Sequence, residues 1–328
     1  MLIFGIETSC DETAAAIIKD GREVIANVVA SQIKTHQAFG GVVPEVAARE
    51  HLDAINVVIN ETFEIAKKDF NINPEDIDAY TSTVGPGLVG CLLVGLNAAK
   101  ALSLVYNKPY IGINHLQGHV CANFLETDLK PPFICLLVSG GHTQIIKVED
   151  YDKQEIIAST IDDATGEVYD KVARLMGLPY PGGIKLDKLA QEGNPYAFKL
   201  PEAKVKDNEF SFSGLKTAVL RLIQGFKEEE LPIKDICASF QETITSTLIN
   251  KTKKLADENN IKTIVLSGGV AANSELRKKL FSLQNLGYKT FAPQMKFCTD
   301  NAAMVASCAY FNPIKTNEPL ILEAFSRS

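Results

Sequence analysis

Leu2 to Ala30 reads LIFGIETSCDETAAAIIKDGREVIANVVA, and Phe133 to Thr160 reads FICLLVSGGHTQIIKVEDYDKQEIIAST. Each stretch predicts three consecutive β-strands. In the first, Leu2–Glu7 alternates and is rich in β-formers, Ala14–Ile18 is a second strand, and Glu23–Ala30 is a third. Asp20-Gly21 is a two-residue hairpin signal between the last two. In the second stretch the strands are Phe133–Ser139, Thr143–Glu149 and Glu155–Thr160.

Outward from each triplet the same order follows. A helix from about Glu45 to Asp69 repeats Val46, Leu52, Ile55, Val58, Ile59 and Phe63 near helical spacing. The strand Ile77–Val84 runs into Gly85-Pro86-Gly87, a small-residue helix spans roughly 88–106, and Pro109–Ile113 is a strand. In the second half come a long helical section, the strand Lys262–Leu266, the turn Ser267-Gly268-Gly269, a helix from near Asn273 to about Leu283, the short strand Lys289–Phe291, and a last helix starting near Asp300. Such an internal repeat decides the fold. It predicts an α/β protein with two lobes, each a mixed sheet with helices on its faces, meeting at an interdomain cleft. This order is similar to that of the actin, Hsp70 and sugar-kinase (ASKHA) superfamily. The expected N-terminal lobe is residues 1–112, with a C-terminal helix of about 300–328 packing back on it. The expected C-terminal lobe is 113–299.

A hydrophobic fraction of 46% and a charged fraction of 22% are those of a globular protein. The most apolar stretch, Leu88 to Tyr106, is interrupted by Gly90, Gly95, Asn97 and Lys100, too early for a membrane helix. With the chain opening directly into a strand, this sets the expectation of a cytoplasmic protein. Seven cysteines, without a C-x-x-C pair, read as buried thiols rather than bridges or ligands. A net charge of −7 argues against an autonomous nucleic-acid binder and leaves room for a local basic patch or a partner. The candidate patches are Lys204 with Lys206, Lys216 with Arg221, and Arg277 with Lys278 and Lys279.

Four features carry chemistry. The turns Ser139-Gly140-Gly141 and Ser267-Gly268-Gly269 let backbone N–H groups approach phosphate oxygens, although any tight turn uses glycine. His115 and His119 stand four apart, so on a helix they share a face and can hold one metal ion; the spacing equally fits two unrelated polar side chains. A metalloprotease would need glutamate after the first histidine, where Leu116 stands. Asp300 could supply a third ligand, giving a set suited to iron, zinc or manganese, or could be an N-cap. Glu7, Asp11 and Glu12, in the strand-to-strand turn Glu7–Thr13, could hold a cation, orient an amine or accept a proton, or serve the turn alone. Finally, the acidic run Asp162–Asp170 opens a helix and is followed by the rigid turn Pro179-Tyr180-Pro181-Gly182-Gly183.

Taken together, Gly5–Thr13, Gly40–Glu45, His115–His119, Val138–Thr143, Asp162–Lys171, Phe210–Thr217, Ser267–Asn273 and Cys298–Asn301 resemble the tRNA threonylcarbamoyladenosine transferase family. The likeness is to its bacterial branch, TsaD, once described as an O-sialoglycoprotein endopeptidase. It spans nearly the whole chain, in order. It implies that His115, His119 and Asp300 hold a divalent metal, with Fe2+ favoured and Zn2+ or Mn2+ as alternatives. It implies that Leu137, Val138, Ser139, Gly140, Gly141, Asp170, Gly183, Asp187 and Asn273 bind an adenine nucleotide or threonylcarbamoyl-AMP, and that Asp11 and Glu12 lie in the active site. The implied partners are tRNA, a shortened paralogue (TsaB-like), a small ATPase (TsaE-like) and an upstream threonylcarbamoyl-AMP synthase. Two other readings stand beside it: an ATP-dependent phosphotransferase on the same fold, which would not need His115, and a non-catalytic, nucleotide-switched scaffold.

Overall fold

A computed structural model describes residues 1–206 and 208–326. The chain divides into two compact units, residues 1–130 with 293–328, and residues 131–292. The first unit begins β1 (Leu2–Glu7), β2 (Glu12–Lys19), β3 (Glu23–Ser31), α1 (Ile33–Gln37) and α2 (Pro44–Phe70). It continues β4 (Ala79–Gly85), α3 (Val89–Val105), β5 (Tyr110–Asn114) and α4 (His115–Cys121). The second unit opens β6 (Phe133–Val138), β7 (Thr143–Asp150), β8 (Lys153–Thr160), α5 (Thr165–Leu175) and α6 (Gly182–Ala190). It closes with β9 (Glu209–Phe210), α7 (Ser213–Gln224), α8 (Ile233–Glu258), β10 (Thr263–Ser267), α9 (Ser274–Ser282) and β11 (Lys289–Phe291). The chain then returns to the first unit as α10 (Ala302–Phe311).

The duplication holds at the level of topology. The first sheet runs β3-β2-β1-β4-β5 and the second β9-β8-β7-β6-β10-β11. Each has an antiparallel meander followed by two parallel strands, so β6, β7, β8, β10 and β11 take the places of β1 to β5. The short β9, added at the outer edge, had no sequence signal, because two residues show no alternation. At the Asp20-Gly21 hairpin both residues have positive φ, 51° and 71°, as a type I′ turn requires.

Alternation along β1 decides what each face carries. Phe4 and Ile6 join the core built with Ile55, Val58 and Ile59 of α2 and Leu96 and Ala99 of α3. The other face carries Gly5 and Glu7. A Cβ on Gly5 would lie 2.8 Å from the Ala302 carbonyl oxygen and 3.0 Å from the Ala306 nitrogen. The missing side chain therefore lets α10 lie directly on β1, which brings Asp300, just ahead of α10, to the level of Glu7.

Two expected boundaries differ. The first unit runs past residue 112 to 130, because α4 and the turn after it pack on α10. Its C-terminal return starts at 293 rather than 300. The last helix stops at Phe311, since Asn312 precedes Pro313 and is pushed out of helical geometry, to φ −146° and ψ 64°. The rest of the tail, up to Ser326, is irregular apart from one 3-10 turn at Pro319–Ile321 and is pinned to the first sheet. Ile314 N donates to the Gly112 carbonyl and Phe325 N to the Val84 carbonyl, both at 3.0 Å. The expected end of that helix at 327–328 lies outside the described residues.

Candidate active site

The first unit gathers the expected metal ligands. Asn114 caps α4 by accepting from Leu116 N at 2.9 Å, fixing the helix that presents His115 and His119. Asn301 caps α10 by accepting from Met304 N at 3.0 Å, which sets the position of Asp300. His119 Nε2 stands 3.2 Å and His115 Nε2 3.6 Å from Asp300 Oδ1. One ligand atom from each residue lies within 4.8 Å of the others. Two imidazole nitrogens and a carboxylate oxygen at this spacing fit a divalent metal.

The far side of His115 is held as well. Its Nδ1 lies 3.2 Å from Ser9 Oγ and 3.4 Å from Glu7 Oε2. Glu7 is fully buried and accepts from Ser9 N and from Thr83 Oγ1, each at 2.5 Å. A carboxylate on the non-ligating nitrogen is the usual way to orient a metal-binding imidazole. Sequence reading missed the role of Glu7; the strand alternation that puts it on the α10 face was the available signal.

Charge in this cluster is unbalanced. Burial works against an ionised His115, but Asp300 and Glu7 outweigh it and raise its pKa to about 9. Asp300 also pays a burial penalty, yet His115 and His119 hold it down near 2. Burial, then the Asp300 and Asp11 carboxylates, push Glu12 up to about 10, so it keeps its proton at neutral pH. Glu12 therefore sits within electrostatic reach of Asp300, with Asp11 beside it. Leu116, where a protease would need its base, is buried at 6% exposure.

The expected adenylate residues all lie in the second unit, and α5 links them. At its start Gly166 N donates to the Ser139 carbonyl at 3.1 Å, and a Cβ on Gly166 would lie 2.7 Å from that oxygen. One turn on, Asp170 Oδ1 accepts from Gly182 N at 2.9 Å and Gly183 N at 3.1 Å, fixing the start of α6. Between them the Tyr169 hydroxyl lies 3.4 Å from Asn273 Nδ2, which reaches Asp187 Oδ1 at 3.3 Å. Leu137 and Val138 are buried at the end of β6 and lead into the Ser139–Gly141 turn. The second glycine turn lies beside the first. Gly268 has φ 86°, and a Cβ there would fall 2.4 Å from the Val138 carbonyl oxygen. Next to this network is a cavity of about 400 Å³, lined among others by Tyr196, Gln241, Ser274 and Lys278. Gln241, Tyr169 and Ser274 had not been singled out from sequence.

Of the basic patches, Lys216 pairs with Asp163, Lys278 with Glu275 and Lys279 with Glu242. The seven cysteines are unbridged, six of them buried. Among the described residues no helix is long and apolar enough to cross a membrane.

Comparison with known proteins agrees with this geometry. Among solved structures, HypF of T. kodakarensis superposes with a TM-score of 0.65 at 16% identity, covering 98% of this chain and 49% of that one. The (R)-2-hydroxyglutaryl-CoA dehydratase component A of Acidaminococcus fermentans gives 0.54 at 18% identity, covering 94% and 98%. Both likenesses are of fold alone. The family profile for tRNA N6-adenosine threonylcarbamoyltransferase matches residues 23–307. Proteins of that name from Caldicellulosiruptor saccharolyticus and Gloeothece citriformis are 51% and 53% identical, covering 96% and 94% of this chain and 94% and 92% of their own. The chain belongs to the tRNA N6-adenosine threonylcarbamoyltransferase family, a family of transferases.

Proposed function

We propose that this chain transfers the threonylcarbamoyl group from threonylcarbamoyl-AMP to N6 of the adenosine just 3′ of the anticodon, position 37, in tRNAs reading ANN codons, forming t6A. The observation that carries the reading is the His115, His119 and Asp300 donor set beside Asp11 and Glu12. Neither a phosphotransferase nor a nucleotide-switched scaffold accounts for that set.

His115, His119 and Asp300 would hold the metal, with Fe2+ favoured by the family resemblance. When bound, a divalent ion supplies Lewis acidity toward oxygens of the threonylcarbamoyl group. Glu7 and Ser9 keep the His115 ring turned toward the ligand position. In the second unit, backbone N–H groups of Gly140 and Gly141 and of the Gly268-Gly269 turn hold the adenylate phosphate and stabilise charge developing on it, with Ser139 closing the first turn through its own N–H to the His142 carbonyl. Leu137 and Val138 shape the wall at the end of β6. Asp170, Gly183, Asp187 and Asn273 hold the nucleoside part. In the transfer, the N6–carbon bond forms, the carbon–oxygen bond to AMP breaks, and the N6 proton passes to Asp11, since Glu12 already carries a proton. The amine is a poor nucleophile, so most of the acceleration comes from orientation. The acceptor base is unpaired in the anticodon loop and enters a pocket without melting a helix.

Net charge −7 and the neutralised lysines support tRNA binding that is shared with partners in the cytoplasm. These are a shortened TsaB-like paralogue and a small TsaE-like ATPase, with a threonylcarbamoyl-AMP synthase upstream. Exposed Leu52 and Val57 on α2, and Leu93 and Leu104 on α3, support a protein-binding face on the first unit. The test is incubation with undermodified tRNA, threonine, bicarbonate, ATP and the synthase, followed by nucleoside mass spectrometry. The expected product is t6A, and its absence with all partners present would refute the proposal.

A further inference from the structure

A run of hydrogen bonds in the second unit has a fixed direction. A carboxylate only accepts, so the amide nitrogen of Gln241 must face Asp187, and it donates to Oδ1 at 2.9 Å. The Gln241 carbonyl oxygen then accepts from Asn273 Nδ2 at 2.8 Å. Asn273 is thereby turned so that its own oxygen accepts from Leu276 N at 2.9 Å and caps α9. One carboxylate on α6 thus sets two amides in sequence and ends at a helix start. Gln241 is 3% exposed and Asn273 8%, so neither can exchange these partners for bulk water at low cost.

Asp187 shows what the relay leaves over. Its Oδ1 takes Gln241, Asn273 and the Ser274 hydroxyl, the last at 2.7 Å. Among the described residues its Oδ2 takes only Ser274 N, at 3.2 Å, and keeps capacity for a hydroxyl of a bound nucleotide.

We propose that Gln241 is a positioning residue for nucleotide binding, holding the Asp187 carboxylate and the Asn273 amide in their binding-competent arrangement. The inference rests on the adenylate reading above and acts through those two residues. Gln241 comes from the middle of α8, far in sequence from every motif of the site.

Calorimetric titration of the full chain with AMP tests it. Gln241→Met removes the relay at nearly constant volume, and AMP affinity falls about tenfold or more. Cobalt(II) binding in the first unit does not change. Gln241→Glu separates positioning from packing. When protonated, the introduced carboxyl donates O–H to Asp187 and accepts from Asn273 as the amide does; when ionised, it opposes Asp187. The titratable groups around it are Asp187 on α6, Tyr169 on α5, Cys237 and Glu242 on α8 and Glu275 on α9, with Lys278 on the cavity wall. At about pH 5.5 the Gln241→Glu protein binds AMP within about threefold of wild type, while Gln241→Met stays at least about tenfold weaker. Should Gln241→Met fail to fold, Gln241→Asn, which withdraws the amide by one methylene, is read the same way. Wild-type affinity in the Met or Asn variant, or equal weakness of the Met and Glu variants at low pH, overturns the role given to Gln241. A wild-type chain that does not bind AMP would instead overturn the adenylate reading beneath it.

Discussion

In the first unit, Glu7 and Asp300 flank two imidazoles, Glu12 and Asp11 stand beside Asp300, and among the described residues no lysine or arginine pairs with them. In the second unit one carboxylate, Asp187, is answered by an amide relay, a hydroxyl and a backbone N–H. The first arrangement carries an excess of negative charge that a cation would offset. The second answers its carboxylates, Asp187 and Asp170, with amide, hydroxyl and backbone N–H donors, so it asks for a ligand that fits the acceptor left over. The same duplicated sheet therefore supports two unlike sites. The difference lies in what each sheet's neighbouring helices carry.

The comparison breaks if damage to one site spreads to the other. The largest effect is expected from His115→Ala. Metal affinity and tRNA modification fall by about 100-fold or more, while AMP affinity and the melting temperature stay near wild type. Calorimetry with cobalt(II) and with AMP reads both sides, and a parallel loss of AMP binding would show the sites to be one. Glu7→Gln is the finer cut, because it leaves all three ligands and removes only the charge behind His115. Cobalt(II) affinity drops about 10-fold to 100-fold, and an unchanged value would leave Glu7 with a folding role alone.

Some of this was legible from sequence and some was not. The His115/His119 pair could be read because helical periodicity alone puts both on one face. Asp300 could be read as a third ligand or as an N-cap, and only the motif resemblance chose between them, since nothing in spacing predicts that Gly5 lets α10 lie against β1. Glu7 was visible as an acid in a turn motif; its partnership with His115 depends on which face of β1 it takes and on where α4 ends up. Gln241 and Tyr169 were hidden for a stronger reason. Their meeting with Asn273 needs α5, α6, α8 and α9 packed in register, and no local pattern encodes that. The last helix was drawn too long because Pro313, which ends it at Phe311, was passed over.

Smaller effects sharpen the contrast. Asn273→Ala removes the α9 cap, worth about 0.5–2 kcal/mol, and one donor to Asp187. AMP affinity falls about tenfold and the melting temperature drops, with cobalt(II) binding unchanged. Loss of cobalt(II) binding here would again merge the two sites. The smallest effect concerns pH. Burial lowers the pKa of His51 below its ordinary 6.5, and the neutral ring bonds Thr13 Oγ1 at 2.7 Å and the Cys10 carbonyl at 3.0 Å. The unfolded chain therefore takes up the proton first. The stabilisation is complete above about pH 6.5 and is lost as pH falls through the lower folded value. Melting curves should show a decline below that pH that His51→Gln reduces; an identical slope in the variant would assign the decline elsewhere.

The central claim is that a cation held by His115, His119 and Asp300 is required for transfer. The most direct measurement is t6A yield by nucleoside mass spectrometry from chain stripped of metal, before and after Fe2+ is restored. The account predicts no t6A from the stripped protein and recovery on restoration, with no recovery in His119→Ala. Full yield from the stripped protein would contradict it.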